Sequence, residues 1–165
     1  MPFVSARDPR TPSVFAQERS NQPGDSLYNQ AKYADPTVPM AIASGMEARL
    51  IEAEAALHEP NPAGMLNILN TLRASVGLAD LTLPTTTAAQ VDLLYHERAF
   101  WLYLTGRRLG DLRRLVSRYG RDPETVFPTG EYPAGGLYGS ATAIPFSQTV
   151  EGAANPHITH GCSGS

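Results

Sequence analysis

Proline is unevenly distributed along this 165-residue chain. Prolines are frequent near both ends, whereas residues 63–122 contain only Pro84. Proline lacks a backbone donor, and its ring clashes with the preceding turn of a helix. The distribution therefore predicts a helical core over residues 44–120, with irregular arms over residues 1–43 and 121–165.

Composition narrows the class of protein further. With 42% apolar and 18% charged residues, the chain resembles ordinary globular proteins, and we expect a single domain over residues 1–165. An apolar run such as Phe100 to Leu104 is too short for a bilayer-spanning helix, which needs ~20 residues. The single cysteine, Cys162, excludes an internal disulfide.

Two helices with capping signals are predicted after the N-terminal arm. Ser44 and Glu47 form a capping-box pattern at the start of a helix over residues 45–58. After a short connection, Pro62 opens a second helix, which we expect to stop at Gly77. So short a connection makes the two helices antiparallel neighbours, which is a helical hairpin.

A third helix, over about residues 87–104, is apolar on most sides and is expected to be central. It carries Glu97 and Arg98, and because buried charges persist only when paired, we expect both to bind neighbouring elements. A fourth helix is predicted over residues 106–120. The apolar positions assigned to these helices are Met46, Leu50, Ala53, Leu57, Met65, Ile68, Leu69, Leu72, Val76, Val91, Leu93, Leu94, Tyr95, Phe100, Trp101, Leu102, Leu104, Leu112, Leu115, Val116 and Tyr119.

Charge separates into two helical regions of opposite sign. Residues 46–62 hold four glutamates against Arg49, and residues 88–122 hold seven arginines against four acidic residues. We expect these regions to face each other and to pair. Because such pairing is available and no exposed aromatic residue is interleaved with the arginines, we expect no nucleic-acid partner.

The sequence offers no catalytic constellation and no cofactor motif. His96 and Glu97 begin a zinc-protease pattern, but Phe100 occupies the position of the second histidine. Two histidines near Cys162 are attributed to a flexible tail rather than to a metal site. We therefore expect no enzyme activity, no cofactor and no bound metal.

Aromatic residues in the two arms are the candidate ligand contacts. Tyr28 lies in the N-terminal arm, and Tyr132 and Tyr138 lie in a glycine-rich stretch of the C-terminal arm. Aromatic rings in surface loops suit the apolar faces of sugars or peptides. The alternative is that these rings only cover the core.

Residues 97–114, with the sequence ERAFWLYLTGRRLGDLRR, resemble the C-terminal signature of the SusD/RagB family. The positions that match this signature are Glu97, Arg98, Gly106, Arg107, Arg108, Asp111, Leu112 and Arg113. Further segments follow one another in the order of the family, namely residues 6–10, 47–57, 144–146 and 155–156.

The resemblance implies a mainly helical, tetratricopeptide-related fold in which the signature residues are structural. It implies non-enzymatic binding of a glycan or other nutrient at the outer membrane, for delivery to a SusC-like TonB-dependent transporter. Family members are longer, surface-facing lipoproteins, so the resemblance also implies a missing N-terminal portion; the chain itself shows no signal peptide or lipid-attachment Cys. The alternative is a tetratricopeptide-type helical module that binds another protein.

Overall fold

The computed structural model describes residues 2–18 and 26–131, and this part of the chain is mainly helical. Its elements are α1 (Pro2–Ser5), β1 (Ser13–Glu18), β2 (Ser26–Gln30), α2 (Gly45–His58), α3 (Pro62–Ala74), α4 (Thr87–Trp101), α5 (Arg108–Ser117) and α6 (Pro123–Val126). The mainly α fold predicted from the sequence is therefore confirmed.

The described residues fall into two compact units, with the boundary between Asp111 and Leu112, inside α5. The first unit contains α1 to α4, the two strands and the start of α5, and the second contains the rest of α5 and α6. The charge clusters and the cavity described below lie in the first unit. A single domain over residues 1–165 stays a prediction.

Helices α2 and α3 pack together as the helical hairpin expected from their short connection. Ser44 precedes α2, and its hydroxyl accepts a hydrogen bond from the Glu47 amide at 3.1 Å. Asn61 caps α3 in the same way, accepting from the Gly64 amide at 2.9 Å. Each cap satisfies an amide that the first turn of a helix leaves unpaired. The chain thus reverses between two well-defined helix termini.

Helix α4 packs against both α2 and α3 and is the most buried helix of the first unit. The helix begins at Thr87, as predicted, and its cap is the preceding residue, Thr86. The Thr86 hydroxyl accepts a hydrogen bond from the Ala89 amide at 3.2 Å. The buried apolar residues are Leu50, Ala53, Met65, Leu69, Val91, Leu94, Tyr95, Phe100, Trp101 and Leu102. Val76 and Leu104 were assigned to apolar helix faces but are 40% and 44% exposed, because they lie beyond the ends of α3 and α4.

The N-terminal arm differs from the irregular segment predicted over residues 1–43. It contains α1 and an antiparallel hairpin of β1 and β2, in which Phe15 lies opposite Tyr28. Pro12 immediately precedes β1, a position where a proline does not interrupt the ladder. Its carbonyl accepts a hydrogen bond from the Ala31 amide at 2.8 Å, just beyond the paired strands. Proline therefore bounds a strand here instead of excluding one.

Helix α5 is shorter than the helix predicted between Gly106 and Gly120. Both glycines have positive φ, +77° and +61°, which is the left-handed conformation that glycine adopts without steric cost. The arm predicted to be irregular from residue 121 also begins with a helix, α6. Its cap is Asp122, whose carboxylate accepts from the Glu124 amide at 2.9 Å.

The loop after β2 is attached to the chain just beyond α4 by Lys32, the only lysine of the sequence. Its ammonium donates a hydrogen bond to the Tyr103 carbonyl at 2.5 Å. The Tyr103 carbonyl lies two residues beyond the last residue of α4, so this bond fixes the loop to the segment that follows the helix. Partial burial lowers the pKa of Lys32.

Candidate functional site

Glu97 is the centre of a buried charge cluster on α4, and only 1% of it is exposed. Arg10 donates hydrogen bonds to its two carboxylate oxygens at 2.5 and 3.4 Å, and Arg73 donates to Oε1 at 2.8 Å. A buried carboxylate is tolerated only when such partners replace water. The cluster therefore holds the segment before β1 and the last turn of α3 to the middle of the first unit.

Arg10 joins Glu97 to a second carboxylate, Asp8. Its Nε and Nη2 donate to the two oxygens of Asp8 at 2.8 and 2.7 Å, and its backbone amide donates to Oδ1 at 2.9 Å. The guanidinium also lies 5.1 and 5.0 Å from the ring centroids of Phe100 and Trp101. The hydrogen bond from Arg10 lowers the pKa of Asp8. Burial alone would lower the pKa of Arg10, but its bonds to the two carboxylates raise it.

Arg98 forms a second buried cluster on α4. Its Nε and Nη2 donate to the two oxygens of Asp111 at 3.1 and 2.9 Å, and both residues are almost fully buried. Its Nη1 lies 3.8 Å from Glu54 Oε2 on α2 and is buried without a hydrogen-bond partner. Tyr95 donates its hydroxyl to the other oxygen of Glu54 at 2.8 Å. This cluster links α4 to α2 and to the start of α5.

The chemistry of the two clusters suits the joining of elements. Each of their carboxylates accepts hydrogen bonds from an arginine or from Tyr95. Arginine is always protonated under ordinary conditions, so these ion pairs keep their charge. The clusters confirm the expectation that Glu97 and Arg98 pair with neighbouring elements. The expectation that the chain is not an enzyme stays a prediction.

Sequence reasoning missed three members of the Glu97 cluster, namely Asp8, Arg10 and Arg73. The sequence marks residues 6–10 only as a segment in the order of the SusD/RagB family, and nothing in it distinguishes Arg73 from the other arginines. One signal was available, since an aspartate before a proline favours a turn, in which the Asp8 carboxylate accepts from the backbone amide two residues on, at Arg10. No comparable spacing links either residue to Glu97.

The other signature residues have different surroundings. Gly106 occupies the left-handed turn before α5, where a side chain would be strained. Arg108 and Arg113 are exposed on α5. The structure therefore brings Glu97, Arg98 and Asp111 into buried clusters and leaves Arg108 and Arg113 at the surface.

Acidic residues of α2 pair with arginines from later in the chain, as their opposite charges predicted. Glu47 lies 2.7 Å from Arg107 Nε, and Glu54 lies 3.8 Å from Arg98 Nη1. Arg107 also donates to the Ile42 carbonyl at 3.1 Å. Because Glu47 and Arg107 are partly solvated, their ion pair contributes little, on the order of 1 kcal/mol or less.

Tyr28 and Phe15 form an exposed aromatic pair on the β hairpin. Their side chains are opposite one another in the strand register, with ring centroids 5.7 Å apart and the rings inclined at 73°. Tyr28 is 39% exposed and Phe15 is 51% exposed. Sequence reasoning named Tyr28 but not Phe15, because the strand that places them together was not predicted. Tyr132 and Tyr138 lie outside the described residues.

Two absences within residues 2–18 and 26–131 bear on possible sites. No group of three His, Cys, Asp or Glu side chains is arranged there to hold a metal ion. No helix in this part of the chain is long and apolar enough to cross a membrane. Cys162 and the histidines near it lie outside the described residues.

Comparison with known proteins adds no relative to these observations. No protein-family model, curated protein or solved structure matches the chain.

Proposed function

We propose that the protein binds a glycan or another nutrient without converting it, and that the pair Phe15–Tyr28 contacts this ligand. The observation that supports the proposal is the exposure of two aromatic rings side by side on a hairpin. Two adjoining exposed rings present apolar area that a ligand can cover, and covering it removes that area from solvent.

The geometry of the pair favours a ligand with a flat apolar face and polar edges. Rings inclined at 73° meet edge to face, so each ring contacts the other on one side while both stay partly exposed. Ser13 and Gln30 share this side of the hairpin by strand alternation, and the amide of Gln30 is held by the backbone of Tyr33 at 2.8 and 2.9 Å. A pyranose ring meets these requirements, since its C–H face is apolar and its rim carries hydroxyls.

The cellular setting of the proposal rests on the SusD/RagB resemblance. In this proposed setting, the chain is the C-terminal portion of a surface-facing outer-membrane lipoprotein beside a SusC-like TonB-dependent transporter. The proposal assigns a structural role to Glu97, Arg98 and Asp111, and this role agrees with their burial and ion pairing. An open reading frame upstream that encodes a signal peptide and a lipid-attachment Cys, next to a transporter gene, is the expected genomic finding.

Affinity electrophoresis through gels containing different polysaccharides tests the binding proposal. We expect at least one polysaccharide to retard the wild type and the double variant Phe15→Ala, Tyr28→Ala to migrate freely. Val14→Ala is the matched control, because Val14 is 59% exposed in the same strand but on the opposite side from the pair. Indifference of the wild type to every polysaccharide would contradict the proposal.

The alternative function, a helical module that binds another protein, is favoured by a different observation. Ile51 on α2 is 58% exposed, although α2 belongs to the helical hairpin. Isolation of a defined protein partner whose binding is lost in Ile51→Asp but kept in the aromatic double variant would support this alternative over sugar binding.

A further inference from the structure

A cavity of about 300 Å³ lies beside the C-terminal end of α4, away from the aromatic pair. Its wall is mainly apolar and includes Phe3, Leu102 and Tyr103. Phe3 is held in place by Phe100 and Tyr103, whose ring centroids are 5.1 and 5.0 Å from its own. The volume is at the lower end of the range for small-molecule sites. A ligand of benzene-ring size fits such a space.

The charged residues of the wall leave an excess of positive charge. Arg98 and Asp111 neutralise each other through two hydrogen bonds. The remaining charged wall residue, Arg108, is exposed, and it forms no ion pair with any residue of the described ranges. An exposed guanidinium beside an apolar cavity is suited to an anion with an apolar body.

Arg98 provides a second, independent indication of the sign of the ligand. Its Nη1 is buried without a hydrogen-bond acceptor, and the nearest carboxylate oxygen described for it, on Glu54, is 3.8 Å away. A buried donor that lacks an acceptor costs free energy until an acceptor reaches it. Because Arg98 lines the cavity, its unused donor favours an anionic oxygen there, although Asp111 and Glu54 already offset its charge.

We propose that this cavity binds a small organic acid, with the apolar body against Phe3, Leu102 and Tyr103 and the carboxylate against Arg108. Arginine matches a carboxylate because its planar fork donates two parallel hydrogen bonds. The site is separate from Phe15 and Tyr28, so it does not depend on the proposed sugar binding. Neutral molecules of the same shape fill the same space but gain nothing from Arg108.

Calorimetric titration of the full chain with benzoate and with benzyl alcohol tests the proposal. The two probes share an aromatic ring and differ in charge. We expect benzoate to bind at millimolar concentration and benzyl alcohol to bind about tenfold more weakly, the usual order for loss of a charge-assisted contact. In Arg108→Gln, the affinity for benzoate is expected to fall to the affinity for benzyl alcohol. Because Arg108 is exposed, this variant is expected to fold.

A second variant tests the location of the site. Ala99 lines the cavity, so Ala99→Leu is expected to fill it and abolish binding of both probes. Ala55→Leu adds the same side chain at an exposed position of α2 and is expected to leave binding unchanged. Absence of benzoate binding to the wild type, equal affinity for the two probes, or undiminished benzoate binding in Arg108→Gln would each overturn the proposal.

Discussion

At the residue scale, Arg10 connects the N-terminal arm to the buried middle of the first unit. One guanidinium binds two carboxylates and lies against two aromatic rings. Lysine does not replace it there, because an ammonium lacks the planar fork that binds Asp8 and Glu97 together. The strong preference of this chain for arginine over lysine, twelve against one, has a physical role at this position.

Loss of the Glu97 charge is expected to be costly. Glu97→Gln keeps the shape of the side chain but leaves Arg10 and Arg73 without their shared carboxylate. We expect the free energy of unfolding, measured by urea denaturation, to fall by about 3–5 kcal/mol, as when one partner of a buried pair is removed.

Glu52→Gln is the matched control for that measurement. Glu52 pairs with Arg49 at 2.6 Å, but their side chains are 53% and 60% exposed. Such a surface pair contributes on the order of 0–1 kcal/mol. Equal effects of Glu97→Gln and Glu52→Gln would contradict the structural importance assigned to the buried cluster.

Asp8 gives the cluster a dependence on pH. Because its pKa is lowered from 3.8 in the folded state, its carboxylate stabilises the fold above that pH, and the contribution is lost as the pH falls through the folded pKa. We expect Asp8→Asn to be less stable than the wild type at neutral pH and to show a shallower decline below pH 3.8. Urea denaturation across the acid range measures both, and parallel pH profiles would refute the role of Asp8.

At the scale of elements, the N-termini of α2, α3, α4 and α6 are each capped by one side-chain oxygen, and α4 allows a direct test. Thr86 is the cap and Thr87 is the first helical residue. Thr86→Ala is expected to cost about 1 kcal/mol of unfolding free energy, the usual effect of losing a cap. Thr87→Ala is expected to be neutral or slightly stabilising, because alanine has the higher helix propensity. The opposite order in chemical denaturation would place the cap at Thr87.

The helices were predictable because their signals are local. The α2 bounds follow from Ser44 and the apolar stripe, and Pro62 marks the first residue of α3. The β hairpin was not predictable in this way, since each strand is short and prolines flank it. The Glu97 cluster was half predictable: the need for a partner follows from burial, whereas Arg10 is 87 residues away in sequence, and only the tertiary fold selects it.

At the scale of the whole molecule, burial predicts a gradient of local stability within the first unit. α4 has seven buried residues, whereas β1 and β2 form a sheet of only two strands with exposed rings. A two-stranded sheet is marginal in water without support. We expect hydrogen exchange to be slowest in the middle of α4 and faster by local opening in the hairpin. Equal protection of both would indicate that the hairpin and α4 open together.

The bond from Lys32 to the Tyr103 carbonyl has a practical consequence for chemical labelling. Lys32 carries the only side-chain amine of the sequence, so an amine-directed reagent has a single side-chain target. Its lowered pKa increases the neutral, nucleophilic fraction, but the hydrogen bond holds the amine against the chain after α4. The rate of acylation at Lys32 therefore reports how often the loop after β2 breaks its bond to Tyr103, without any label having to be introduced by mutation.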